Sequence, residues 1–301
     1  MKQRTITAII LIAVLTPLVI IGGIPFYCLI ALAIGWAIYE LMKATEGKRD
    51  NSVPPSRCLN WPAILIIVTV FLTIVGTFYP YLISVMNGGK FVFSSKITLP
   101  IIPIVILSFS LFAGSVLSER VNIQDVFLIL SMSIFLMIGG QSVALVRDLG
   151  GAFILFVLLT CILTDTGAYF TGMICSKKFK THKLNERISP KKTIEGSIGG
   201  IVFGTLIPFL LTYIPALRLE TQNVYNIEIN SIVILCLAFI MSVVAQLGDL
   251  TFSAIKRHFG VKDYSNIFPG HGGVLDRLDS ILFNMIFFAV IVTYIATGAI
   301  F

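Results

Sequence analysis

Apolar positions in this chain form long unbroken stretches, near 6–22, 24–42, 62–86, 98–117, 124–145, 151–174, 196–215, 231–255 and 280–300, with polar residues gathered in the gaps. A helix rises about 1.5 Å per residue, so roughly 17–25 apolar residues cross a hydrocarbon core. The stretches are continuously apolar and do not alternate, which favours helices over barrel strands. The pattern predicts an all-α fold, a polytopic transmembrane helix bundle of about nine membrane-spanning helices. The first two stretches are separated only by Gly22, Gly23 and the turn at Pro25, and are expected to form a tight hairpin or a re-entrant pair.

Composition agrees. Hydrophobic residues make up 56% of the 301 and charged residues 12%, with a mean hydropathy of +0.95, outside the balance of a soluble domain. Lys2 and Arg4 before an apolar run, with Ala31-Leu32-Ala33 beyond it, outline a signal peptide. The run exceeds a signal core, however, and with so many later spans a retained first anchor is the expectation. The five cysteines, Cys28, Cys58, Cys161, Cys175 and Cys236, show no paired or metal-ligand spacing and read as small core residues.

Lysine and arginine placement sets the orientation, because cytoplasmic loops retain them. Loop 175–195 carries Lys177, Lys178, Lys180, Lys183, Arg187, Lys191 and Lys192 against Glu186 and Glu195, whereas 216–230 holds only Arg218 with two acids. The N-terminus and the segments 43–61 and 256–278 also lean basic. Nine spans put all of these on the cytoplasmic side, in a multi-pass protein of the cell (inner or plasma) membrane. Most of the +7 net charge lies in these loops, where anionic lipid head groups and the topology rule account for it, so nucleic acid is not an expected partner.

The chain reads as one integral membrane domain, 1–301, whose residues 1–150 are mainly scaffold helices and whose residues 151–301 form a catalytic half. Polar chemistry arrives there in four blocks. Asp165 lies inside the sixth span, in Thr164-Asp165-Thr166-Gly167-Ala168-Tyr169-Phe170, where a carboxylate is costly unless paired or facing water. A structural ion pair and a substrate or ion site are the competing explanations. The second block is Ser189-Pro190-Lys191-Lys192-Thr193-Ile194-Glu195-Gly196-Ser197. Ser189 with Pro190 gives a helix-start signal, and the glycines at 196, 199 and 200 allow close helix approach. Lys191 and Lys192 suit either topology anchors or phosphate partners.

The third block, Gln246-Leu247-Gly248-Asp249-Leu250, puts a second carboxylate about two turns inside the eighth span. The fourth, Pro269-Gly270-His271-Gly272-Gly273-Val274-Leu275-Asp276-Arg277-Leu278-Asp279, opens the ninth, with Asp276 and Asp279 at i and i+3 on one helix face. Three converging carboxylates, Asp249, Asp276 and Asp279, would repel one another without a cation between them. Oxygen-only ligands indicate a hard divalent ion, Mg²⁺ where phosphates complete its shell. Lys256, Arg257, Lys262 and Arg277 stand ready for polyphosphate oxygens, and Gly270, Gly272 and Gly273 leave backbone N–H groups open to an anion. His271 reads as a loop residue that caps a helix or orients a carboxylate, against proton transfer or a phosphate contact. Metal, phosphate cradle and membrane together indicate phosphoryl or nucleotidyl transfer onto a lipid.

The run Ser253-x-Ile255-Lys256-Arg257, then Lys262-Asp263, then His271-Gly272-Gly273-Val274-x-Asp276-Arg277-Leu278-Asp279 resembles the family of CDP-diacylglycerol synthases, or phosphatidate cytidylyltransferases. Asp165 to Phe170, Ser189 to Gly196 and Gly248-Asp249-Leu250 match further family blocks in the same order. The resemblance covers about 151–285. Ile194, Met173 and Phe252 depart from it, standing where the family commonly has Trp, Arg and Glu.

The resemblance implies that CTP and phosphatidate give CDP-diacylglycerol and pyrophosphate, for phospholipid biosynthesis in a membrane whose lipids surround the enzyme. It implies Mg²⁺, with or without a second cation, on Asp249, Asp276 and Asp279. Lys256 and Arg257 would work with Lys191 and Lys192 on the phosphates, and Arg277 would support the metal cluster or the leaving group. Ser189, His271, Gly272, Gly273 and Asp165 would line the substrate site. The alternatives are a CTP-dependent kinase of a polyprenol- or phytol-type alcohol and an ion-coupled transporter. The first lacks an evident base for its alcohol and the second lacks matching broken helices in both halves. A homodimer suits so compact a bundle, though no helix face locates its interface.

Overall fold

The computed structural model describes residues 13–46, 62–86, 97–117, 121–178, 182–217, 219, 230–268 and 272–297. The helices are α1 (Gly23–Glu46), α2 (Ala63–Thr77), α3 (Tyr79–Met86), α4 (Ile101–Leu117), α5 (Ile123–Leu149), α6 (Gly151–Lys178), α7 (Ile194–Leu211), α8 (Ser231–His258) and α9 (Leu275–Thr297). Residues 13–21 ahead of α1 are also helical. Among the described residues, six helices, α1 and α5–α9, are long and apolar enough to cross a membrane, while α2 and α4 are shorter apolar helices. The chain is therefore a multi-pass helical membrane protein. Large apolar side chains such as Ile64, Phe71, Phe109 and Leu206 are exposed along these helices. In lipid such surfaces carry no hydrophobic penalty. Cys28 and Cys236 share that exposed surface instead of lying in the core, unlike the buried Cys161; Cys58 falls outside the described residues.

Two compact units emerge, Met1–Ala144 with Lys256–Leu278, and Leu145–Ile255 with Asp279–Ile300. In the first, the helix broken at Gly22 restarts as α1, with Gly22 and Gly23 at φ of 66° and 59°. Pro25 follows in the first turn, where its missing N–H costs nothing. The stretch 62–86, expected as one span, divides into α2 and α3 around Phe78. Pro80 is the cause, since it offers no N–H to the carbonyl of Gly76 four residues back. The side chain of Gln141, 1% exposed on α5, donates from Nε2 to that carbonyl at 3.0 Å and accepts from the Thr98 amide at 3.2 Å. Gln141→Leu strands both groups in the protein interior. An expected loss of about 1–3 kcal/mol follows, read as an earlier melt of the detergent-solubilised protein.

In the second unit α6 and α7 pack closely through glycines four residues apart on α7. A Cβ on Gly196 would stand 2.8 Å from the Ala168 carbonyl oxygen, and one on Gly200 would stand 2.7 Å from that of Thr164. This is close backbone approach over a small-residue stripe. The helix start expected at Ser189-Pro190 lies instead at Thr193, whose Oγ1 accepts the Gly196 amide at 3.1 Å. A hydroxyl three residues before a free helical N–H is the stronger signal. Ser189–Thr193 is a short strand, β2, antiparallel to β1 (Lys183–Asn185), which adds a small hairpin to helices among the described residues. Pro190 fits because each strand of a two-stranded ribbon has a free edge.

Candidate active site

The hairpin walls a cavity of about 610 Å³ in the second unit. From α6 come Asp165, Ala168, Tyr169, Gly172, Met173 and Ser176. Lys183 and Leu184 enter from β1, Lys191, Lys192 and Thr193 from β2, Gly196 and Ser197 from the head of α7, and Gln246 and Asp249 from α8. Three of the four polar blocks seen in the sequence therefore meet around one space. Lys192 Nζ is ion-paired to Asp249 Oδ2, and Ser253 Oγ lies 3.4 Å from Asp249 Oδ1. Both side chains of the pair keep more than a fifth of their surface open, 29% and 25%. An ammonium and a carboxylate thus stand together at the cavity wall, each able to turn toward a charged ligand.

Hydrogen bonds tie the scaffold around the cavity together. Gln246 Nε2 donates to the Ser197 carbonyl at 3.0 Å, while Ser197 Oγ donates to Gln246 Oε1. The carboxylate of Glu195 accepts from the His182 amide at 3.1 and 3.3 Å and lies 2.9 Å from its Nδ1, while Lys183 Nζ donates to the Pro190 carbonyl at 2.8 Å. His182 is exposed and tied to Glu195. Ser189 sits on β2 and is not among the cavity-lining residues. Of the departures from the family pattern, Met173 lines the cavity, Ile194 is exposed, and Phe252 is 1% exposed, edge-on to Phe283 at 6.1 Å. At Phe252, then, ring packing fills the space where a charged side chain was expected. Asp279 also belongs to this unit, 9% exposed, its Oδ1 accepting the Ser280 amide at 2.7 Å.

Other expected site residues build a second polar cluster, inside the first unit. α8 ends on a left-handed Gly260 (φ 70°), with the Val261 amide bonded to the Lys256 carbonyl at 3.0 Å and that of Gly260 to Arg257 at 3.1 Å. This double closure is a glycine helix stop that turns the chain toward α9. Lys256 Nζ donates to Asp276 Oδ1 at 2.8 Å, and Asp276 Oδ2 accepts the amides of Tyr264 and Gly273, both at 2.9 Å. Lys256 and Asp276 are 9% and 7% exposed. Gly272, at φ 81°, would carry a Cβ 2.8 Å from Asp276 Oδ2, so only glycine passes there. Arg257 is exposed and reaches the Val261 carbonyl at 3.3 Å, and Arg277 is exposed in the first turn of α9. His271 lies outside the described residues.

Glu40, absent from every sequence-based candidate, joins this cluster from α1. It is 2% exposed; Oε1 accepts Trp36 Nε1 at 3.0 Å, Ser265 Oγ at 2.5 Å and the Val274 amide at 3.0 Å, and Oε2 accepts the Leu275 amide at 2.9 Å. Its signal was present in the sequence, an acid inside an apolar run, which by default marks a functional position.

A family model described as the cytidylyltransferase family matches residues 2–295. The chain belongs to the cytidylyltransferase family. It is 33% identical over 284 residues to the phosphatidate cytidylyltransferase of Staphylococcus haemolyticus, covering 94% of this chain and 95% of that protein. Likeness to the proteins of the same name from Staphylococcus epidermidis and Staphylococcus aureus is similar, at 32% and 33% over the same length and coverage. Membership in this family makes the chain a nucleotidyltransferase enzyme of the membrane. The match also reaches well beyond the motif-bearing stretch, through the N-terminal helices that contain Glu40.

Among the described residues, no three His, Cys, Asp or Glu side chains gather as a ready cation cage. The convergence of Asp249, Asp276 and Asp279 expected from the sequence is thus not found; Mg²⁺ commonly takes one or two carboxylates and completes its shell with water and substrate phosphates. Asp249 faces the cavity and fits such a role. Asp276 is already engaged on both oxygens by a lysine and two amides.

Proposed function

We propose that the protein transfers the cytidylyl group of CTP to phosphatidate, giving CDP-diacylglycerol and pyrophosphate for phospholipid synthesis. The observation that carries this reading is the hairpin cavity, where Lys191, Lys192, Asp249 and Asp165 converge in a chain of the cytidylyltransferase family. The names of its relatives supply the substrate pair.

A phosphatidate phosphate oxygen is already anionic, so the attack on the α-phosphorus of CTP calls for no strong base. A new P–O bond forms there as the bond to the bridging α–β oxygen breaks, and pyrophosphate departs with the electron pair. The barrier lies in bringing two polyanions together and in the charge left on pyrophosphate. Lys191 and Lys192 hold phosphate oxygens at the cavity wall. Asp249 keeps the Lys192 ammonium aimed inward until a phosphate competes for it, and Asp165 sets the polar limit of the cavity on α6. Where Mg²⁺ is bound, Asp249 is the cavity-wall carboxylate that would hold it, with Asp279 the further ligand expected from the sequence, and the ion would neutralise triphosphate charge. The cavity opens to the cytoplasm in this reading, since CTP comes from water while the acyl chains of phosphatidate stay in the leaflet.

The test is release of labelled pyrophosphate from CTP by the purified protein in detergent. Release that needs both phosphatidate and Mg²⁺ is expected. Consumption of CTP with a free polyprenol or phytol-type alcohol in place of phosphatidate would overturn the reading in favour of a lipid kinase. No turnover with any lipid by a well-folded protein would overturn it in favour of transport.

A further inference from the structure

We infer that Glu40 is a positioning residue of the reaction, a cap supplied by α1 to the start of α9. The first amides of any helix lack partners within it. At α9 the Val274 carbonyl accepts the amides of Arg277 and Leu278 at 3.0 and 3.2 Å, which makes Val274 the capping position. Valine has no side-chain acceptor, and position for position it is among the poorest caps. The carboxylate of Glu40 stands in for it, taking the amides of Val274 and Leu275, one on each oxygen.

Burial makes this arrangement demanding. A carboxylate 2% exposed survives at that depth only if its acceptors are filled, and here an indole N–H, a hydroxyl and two amides fill them, with the positive end of the α9 dipole alongside. The fit is also tight. A Cβ on Gly273 would lie 2.5 Å from Glu40 Oε2, so this backbone approaches the carboxylate as closely as only glycine permits. Ser265 binds the same Oε1. One carboxylate thus holds Ser265 and the first amides of α9 together, while Asp276 joins Lys256, Tyr264 and Gly273 beside it. Its influence runs through the start of α9 and the placement of Arg277 in the first turn of that helix. As a statement about catalysis, the inference rests on the cytidylyltransferase reading.

The experiment compares full-length wild type, Glu40→Gln and Trp36→Phe in detergent. It records hydrogen exchange across 272–276, kcat and KM for CTP with phosphatidate, and the folded fraction. Gln has one acceptor oxygen where two amides need one each, and its NH₂ would face a donor. Exchange in Glu40→Gln should quicken by roughly tenfold, the loss of one buried hydrogen bond. Its kcat per folded molecule should fall about 100-fold, with KM for CTP within about threefold, as for misplacement without lost binding. Trp36→Phe keeps both amide contacts and should stay within about threefold of wild type. If Glu40→Gln does not accumulate, Glu40→Asp, one methylene too short to span both amides, is read on the same scale.

Unchanged exchange overturns the cap. Faster exchange with an unaltered kcat per folded molecule reduces Glu40 to a structural residue and overturns the positioning role. A wild type that turns over no CTP defeats the cytidylyltransferase reading, and with it the catalytic role, while the exchange comparison still decides whether the cap exists.

Discussion

Asp249→Asn should lower phosphatidate-dependent pyrophosphate release by about a thousandfold while leaving the fold almost untouched. The two halves of that expectation have different origins. The Lys192–Asp249 pair keeps 29% and 25% of its side-chain surface exposed, and ion pairs so open to solvent contribute on the order of 1 kcal/mol or less to stability. The same pair lines the cavity between α6, the hairpin and α8, and removal of one preorganised charged group at a phosphate-transfer site costs about 10²–10³ in rate. Asparagine keeps the size of the side chain and removes its charge, so Lys192 loses the partner that holds its ammonium at the wall. Lys192→Met should lose activity to a similar degree. The double variant should be little worse than either single change, because groups that act as a unit do not add. Steady-state rates and thermal melts of the four proteins decide the matter. An Asp249→Asn enzyme with more than a tenth of wild-type activity would remove Asp249 from the machinery, and strictly additive losses would show two independent roles.

Lys256→Met is expected to act through the opposite channel. Its side chain and that of Asp276 retain only 11% and 3% of their surface, so removal of the cation leaves a buried carboxylate with two amides and no counter-charge. Breaking one side of such a pair costs about 3–5 kcal/mol. The melting transition should drop sharply, with activity lost alongside it. Lys256→Met/Asp276→Asn should recover part of the stability, with a coupling of about 1–3 kcal/mol in the cycle, because asparagine still accepts from the amides without a buried charge. A Lys256→Met protein as stable as wild type would show that Asp276 draws its compensation from elsewhere.

How much of this was legible beforehand depends on the range of the interaction involved. Membrane spans depend on local composition, and the apolar runs correspond to helices from α1 onward. The exceptions are local too. Pro80 divides the third run, and Thr193, not Ser189, caps α7, because backbone donors and acceptors answer to the nearest group able to pair with them. Asp165, Lys191, Lys192 and Asp249 were readable as candidates because charges inside or beside apolar runs demand a partner, and the structure brings these four around one cavity. Which acid would face which base was not readable. Lys256 and Lys192 were both assigned to phosphates, yet the first is buried against Asp276 while the second stays open on Asp249.

By itself, then, the sequence determined that the chain crosses a membrane many times as helices, and which residue types carry its polar chemistry. Both follow from the cost of placing backbone polar groups and charges in hydrocarbon, a cost each segment meets alone. Only the tertiary structure decided the pairings: Gln141 on the carbonyl that Pro80 leaves open, Glu40 as the cap that Val274 cannot supply, and Asp276 as a clamp on the chain between α8 and α9. In the first two, a buried donor or acceptor is satisfied by a group distant in sequence, 65 residues away for Gln141 and 235 for Glu40 and Leu275. A buried hydrogen bond requires that two groups meet in space, which no local pattern of residues encodes.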